Sequence, residues 1–313
     1  MTKQQHSTSA LGIWQRPVWV AVFAFIAAFA WGWAYPLIKL GFAAFGITAD
    51  QTGSKMVFAG VRFAISGIII LAVARGAKRS FRMSSGWRGW AFIVTFALVN
   101  TTIHYACFYF GLSHSAGSRA AILNSLSVFT LVLLACVAYP STDRLSASKI
   151  AGCALGFVGI LALNIGGADS GDFTLLGDGM IVGNALCSAA AGLMTRKMPL
   201  HTDVLVGTGE SLLIGGVLLA VPGIAMGGTL PVVNASGLVI LALLIAISTV
   251  GFGLYNKLLS CNPVGKVAIF NSLIPVIGAV SSCLCLGEPF YWKYALAAVL
   301  AAAGIYIINR AKK

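Results

Sequence analysis

Apolar residues run along this chain in continuous stretches of about twenty, broken by short polar or charged links, and the alternation expected of half-buried strands is missing. Such stretches match the roughly 30 Å of a hydrocarbon core crossed as helix. Ten of them are predicted, near 18–41, 55–75, 87–111, 118–139, 146–166, 174–195, 203–222, 236–257, 265–286 and 291–309. They must be helices, because a barrel would show ten-residue alternating segments, and helices alone satisfy every backbone group within one segment in lipid.

One stretch recurs. Ala121-Ile122-Leu123-Asn124-Ser125-Leu126 returns as Ala268-Ile269-Phe270-Asn271-Ser272-Leu273, with one position changed, and Arg119 falls opposite Lys266 at the same offset. Elsewhere the offset drifts by a residue or two: Arg62 and Gly67 fall opposite Glu210 and Gly215. The chain reads as two related halves. Five spans per half is an odd number, so the second copy enters the membrane from the other side. The expected fold is all-α and integral to the membrane, with ten transmembrane helices in two inverted five-helix repeats. The expected divisions are a cytoplasmic leader over 1–17, the first repeat over 18–166, the second over 174–309 and a cytoplasmic tail over 310–313.

Composition agrees. Hydrophobic residues make up 58% of the 313 positions and charged residues 9%, with a mean hydropathy of +0.91, too little polar surface to wrap a soluble globule. The net charge of +13 would point to nucleic acid in a soluble chain. Here all but five of the 21 basic residues (Lys39, Lys55, Arg62, Arg119 and Lys293) fall in segments that are cytoplasmic if both termini are inside. The charge is therefore mainly topological, and no nucleic-acid partner is expected. Seven scattered cysteines without a CxxC pair give no metal site, and the missing GxxxxGK[ST] loop leaves no nucleotide cradle, so no cofactor is expected.

Inverted repeats place a substrate site near the midplane, between the halves. Candidate lining residues are polar or aromatic groups at that depth. Trp31 and Tyr35 flank a stretch that Pro36 can kink, although the same aromatics could merely anchor the helix at the interface. Asn100, His104 and Tyr105 make the most polar face of the third span, where His104 could relay protons or sit as a satisfied core histidine. Asn124 and Asn271 could bind substrate or tie helices together. Asn184 and Ser188 fall near one stripe of the sixth span, and Phe252 and Tyr255 form a polar-aromatic stretch with Ser248 and Asn256 on the eighth. Glu210 lies in an otherwise uncharged segment, where a carboxyl needs a partner or a task. It reads either as an ion-pair partner for Arg62 or as a coupling group, which would make transport proton-linked.

With Trp31-Gly32, Lys39, Arg62-Phe63, Tyr109-Phe110-Gly111-Leu112, Ser118-Arg119-Ala120-Ala121, Pro263 through Pro275 and Leu286-Gly287-Glu288, the chain resembles the drug/metabolite transporter superfamily, EamA type. The resemblance covers nearly the whole chain. It implies export of small metabolites, often amino acids, through a cavity lined by the first, third, fourth, sixth, eighth and ninth helices. His104-Tyr105 and Trp31 are similar to cavity residues of aromatic amino-acid exporters in that group. The chain departs from the family pattern at Ser127-Val128, where many members carry a proline, and at Glu210, where a neutral residue is commoner. The expectation is thus a non-enzymatic secondary transporter in the cytoplasmic membrane, with small-molecule substrate and lipid as its partners, acting as a monomer or dimer. Two alternatives stand beside it: a carrier of phosphorylated sugars or nucleotide sugars using Lys39, Arg62 and Arg119, and a membrane-embedded enzyme.

Overall fold

The computed structural model describes residues 12–48, 50–84, 86–114, 117–164, 173–287 and 291–310. Seven helices in it are long and apolar enough to cross a membrane, and three shorter apolar helical stretches, Leu126–Ala138, Ala147–Gly159 and Ala295–Arg310, complete ten spans among the described residues. In chain order the helices are α1 (Pro17–Ala44), α2 (Thr52–Gly76), α3 (Trp87–Ala97), α4 (His104–His114), α5 (Gly117–Ala138), α6 (Ala147–Asn164), α7 (Met180–Lys197), α8 (Val204–Ala225), α9 (Ala235–Cys261), α10 (Val264–Ala268), α11 (Ile274–Leu286) and α12 (Trp292–Arg310).

Two spans are interrupted. A π-helical turn, Leu98–Ile103, joins α3 to α4 and carries Asn100. A 3₁₀ turn, Ile269–Leu273, joins α10 to α11 and carries Asn271, and Pro275 opens the helix that follows. A π turn also precedes α7 over Leu175–Gly179. Pro36, by contrast, lies inside an α1 that continues to Ala44.

Helix ends follow local chemistry. The Asp203 carboxylate accepts from the Leu205 N–H at 2.9 Å and starts α8, and the Asn234 side chain accepts from the Gly237 N–H at 2.7 Å and starts α9. Gly287, at φ 67°, ends α11 in the left-handed conformation that glycine adopts freely.

Two glycine seams hold the halves together. A Cβ added at Gly53 would stand 2.8 Å from the Gly223 carbonyl oxygen, one at Gly60 2.6 Å from that of Gly216, and one at Gly67 2.6 Å from that of Gly209. The paired numbers sum to a constant, so α2 and α8, the second span of each half, lie antiparallel with backbone against backbone. The last spans repeat the arrangement: a Cβ at Gly152 would meet the Gly304 oxygen at 2.8 Å, and one at Gly159 the Ala297 oxygen at 3.2 Å. A twofold axis along the membrane normal would pair equivalent helices in parallel. Antiparallel pairing puts the axis in the membrane plane, so the repeats are inverted.

The surface is apolar where lipid would lie. Val18, Phe25, Phe29, Ile68, Val73, Val137, Val217, Val221, Leu238 and Val299 all point outward. This reverses the soluble pattern and leaves polar side chains to the interior.

Candidate functional site

The midspan polar and aromatic side chains of α1, α2, α4, α5, α7 and α9 meet in the interior together with the 3₁₀ turn before α11. Trp31 of α1 stands edge-on to Phe252 and Tyr255 of α9, with ring centroids 5.3 and 5.1 Å away. Its place depends on Gly251, where a Cβ would lie 2.6 Å from the indole nitrogen. Phe252 continues to Phe63 of α2 at 6.1 Å, Phe63 to Tyr105 of α4 at 4.4 Å, and Tyr105 to His104 at 4.5 Å and Tyr109 at 6.4 Å. These contacts make a connected aromatic wall through both halves.

Amides complete it. The Asn271 amide donates to the Tyr255 hydroxyl at 3.0 Å, and the Asn184 amide donates to the Asn124 carbonyl at 2.5 Å. Tyr35, one turn beyond Trp31, reaches Asn124 with its hydroxyl and packs its ring against Gly278, yet it is 40% exposed. The carbonyl oxygens of Asn184 and Asn271 and Nδ1 of His104 are buried without a hydrogen-bond partner. Such orphaned groups are costly in an interior and mark where a further donor is wanted.

Arg62 is 3% exposed. Its Nε donates to the Ser248 hydroxyl at 2.7 Å, and its guanidinium lies 5.0 Å from the centre of the Phe63 ring. Its expected ion pair with Glu210 is not formed. Across the α2–α8 seam Gly60 faces Gly216 and Gly67 faces Gly209, a register that sets Glu210 opposite Ser66, one turn from Arg62, while Arg62 reaches across to α9. Equal rank in the repeat therefore did not mean contact. Glu210 is itself buried, with Oε2 lacking a partner.

The remaining candidates make no hydrogen bond to the wall among the described residues. Asn100 donates to the hydroxyl of neighbouring Thr101 at 3.4 Å, and Ser188 is half-buried on α7 one turn beyond Asn184. Phe63, Gly251 and Gly278 belong to the site and were not singled out as lining residues. Only the place of Phe63 beside Arg62 could have signalled it.

The arrangement offers stacking faces, unfilled acceptors and one buried cation, the means to hold a small molecule with both an apolar body and polar ends. Among the described residues it shows no paired carboxylates for acid–base chemistry.

Comparison with known proteins agrees with this architecture. The chain is similar to YvbV of Bacillus subtilis, an uncharacterised transporter, at 24% identity over 90% of this chain and 89% of that one. It is also similar to a probable amino-acid metabolite efflux pump of Escherichia coli, at 23% identity over 91% of this chain and 93% of that one. A crystal structure superposes with a TM-score of 0.78 at 17% identity, covering 93% of this chain and 98% of that one, which supports the fold alone. The model of the EamA-like transporter family matches twice, over residues 18–165 and 175–310, one match in each half. The chain belongs to the EamA-like transporter family.

Proposed function

We propose that this transporter exports small zwitterionic metabolites, amino acids foremost and aromatic ones among them, across the cytoplasmic membrane by alternating access. The observation that carries the reading is the juxtaposition of the Trp31–Phe252–Tyr255 cluster with the unpartnered carbonyl oxygen of Asn271. An ammonium group supplies the donors that this oxygen and its counterpart on Asn184 lack, and an aromatic or aliphatic side chain stacks on the wall. Arg62 is the cation available to a carboxylate. The efflux-pump name carried by the Escherichia coli relative supports the same substrate class.

Both termini are assigned to the cytoplasm, supported by the basic residues Arg16, Arg75, Lys78, Arg79 and Arg196 at the helix ends on that side. Glu210, a buried carboxyl with a partnerless oxygen, is the group assigned to proton coupling.

Counterflow of a labelled amino-acid panel into proteoliposomes at two pH values tests the reading. Uptake of aromatic and aliphatic amino acids that compete with one another supports it. Competition by phosphate esters and not by amino acids replaces it with a phosphate-type carrier. A Glu210→Gln variant that retains the full pH response removes the coupling assignment.

A further inference from the structure

The end of the bundle that carries both termini is closed by a network centred on Asp143, in the link between α5 and α6. Asp143 is fully buried. Its two carboxylate oxygens accept from the backbone N–H groups of Val264 and Gly265, at 3.0 Å each, where the ninth span begins. They also meet Lys149 Nζ of α6 at 3.2 Å and Arg196 Nη1 at the end of α7 at 3.4 Å. One carboxylate thus ties the first half to two separate elements of the second.

The network extends outward. Arg196 also donates to the Asn262 carbonyl at 2.7 Å and lies 5.0 Å from the Tyr139 ring centre, and Tyr139 donates to the Leu193 carbonyl at 2.9 Å. Asn262 donates to the Trp14 carbonyl at 2.8 Å, which brings in the entry to α1. Beneath lies an apolar core of Val20, Ala24, Val132, Ala135, Leu258, Leu259, Val264 and Val267, all buried. On α1 the residues that face this core, Ala24 at 1% and Ala27 at 0% exposure, are closed off below Trp31.

We propose that Asp143 is the latch of this end: it holds the site shut toward the termini and lets go of Val264, Gly265 and Arg196 each time the site opens on that side. The proposal rests on the alternating-access reading but not on the identity of the substrate. No other anion among the groups just named can replace it, because the remaining partners are cations, amides and hydroxyls. Its release exposes Cys136, which is 9% exposed and whose sulfur lies 3.8 Å from Lys149 Nζ. The protein therefore contains its own reporter.

The test follows alkylation of Cys136 by N-ethylmaleimide in the full chain in proteoliposomes, read by peptide mass spectrometry. Asp143→Asn keeps the shape of the side chain and removes its charge, so Cys136 should react about tenfold faster than in the wild type. A folded Asp143→Asn protein with wild-type Cys136 reactivity overturns the proposal. The pair Asp143→Cys and Gly265→Cys gives a second measurement that does not depend on that variant folding. Oxidised, it should protect Cys136 and stop counterflow; reduced with dithiothreitol, it should expose Cys136 and restore counterflow. Equal Cys136 reactivity in both redox states also overturns the latch. Because the cysteine readout needs no substrate, a wrong substrate assignment leaves it intact, and silent counterflow with redox-dependent labelling faults the substrate alone.

Discussion

The two copies of the repeated hexapeptide have nearly the same letters and different backbones. Ala121–Leu126 lies within the continuous helix α5, whereas Ile269–Leu273 of the second copy tightens into a 3₁₀ turn between α10 and α11. The cause lies just downstream. Pro275 stands four residues after Asn271 and has no N–H to give its carbonyl, so Ile274 bonds that carbonyl at 3₁₀ spacing instead. In the first copy the same place is held by Val128, which keeps the α-helical ladder. The twin asparagines consequently take different partners: Asn124 faces Asn184 and Tyr35, while Asn271 donates to Tyr255. A single proline turns a duplicated motif into one rigid wall and one broken one.

The sharpest way to break this contrast is to give the first copy its proline. Val128 is buried in the interior of α5, so Val128→Pro removes one ladder bond, clashes at Asn124 and should cost about 3 kcal/mol or more. Folded yield and thermal unfolding in detergent measure it, and a near-normal yield would mean that α5 tolerates the same break. Gly152→Ala follows, because the new Cβ would sit 2.4 Å from Ile308 and 2.8 Å from the Gly304 oxygen; a loss of roughly 1–3 kcal/mol should appear in the same unfolding assay. Asn271→Ala should lower counterflow about tenfold, the equivalent of losing one hydrogen bond of roughly 1.4 kcal/mol, with a smaller change in thermal stability. Pro275→Ala restores the missing N–H and should stabilise the ninth span by up to about 1 kcal/mol while slowing transport, if the break is what lets that wall move. Gly156→Ala is the smallest. Its Cβ would stand at an ordinary 3.6 Å from Phe129 and 3.8 Å from Ser272, touching the neighbourhood of both copies, and unfolding should shift by less than about 1 kcal/mol.

The ten spans and the repeat were legible because lipid imposes long apolar runs, and because a duplicated Asn in such a run has few neutral explanations. The aromatic wall was legible in part: Trp31, Tyr105 and Tyr255 stand out as large polar-edged rings at midspan depth, and Phe252 through its place in the polar-aromatic stretch with Ser248, Tyr255 and Asn256. Phe63 did not, since one more phenylalanine in an apolar helix carries no signal beyond its place beside Arg62. The Arg62–Glu210 pairing failed for a related reason. A repeat offset gives rank along the helix but not the direction a side chain takes, and Arg62 turns to Ser248 of α9 instead of to α8. Pro36 invited a kink that α1 does not take as a break, whereas Pro275 marks one. Asp143 was invisible because Arg196 and the Val264–Gly265 backbone lie 53 and 121 residues further along the chain, and an acid in a short polar loop looks like any solvated residue.

The glycine seam between α2 and α8 restricts how the halves can travel. With carbonyls standing where side chains would otherwise intervene, sliding one helix along the other by a turn would drive Ala64 or Ala220 into the opposing backbone. Rotation about the seam meets no such obstacle. Spin labels placed across it should therefore keep a fixed separation during turnover, while pairs at the bundle ends report alternating distances.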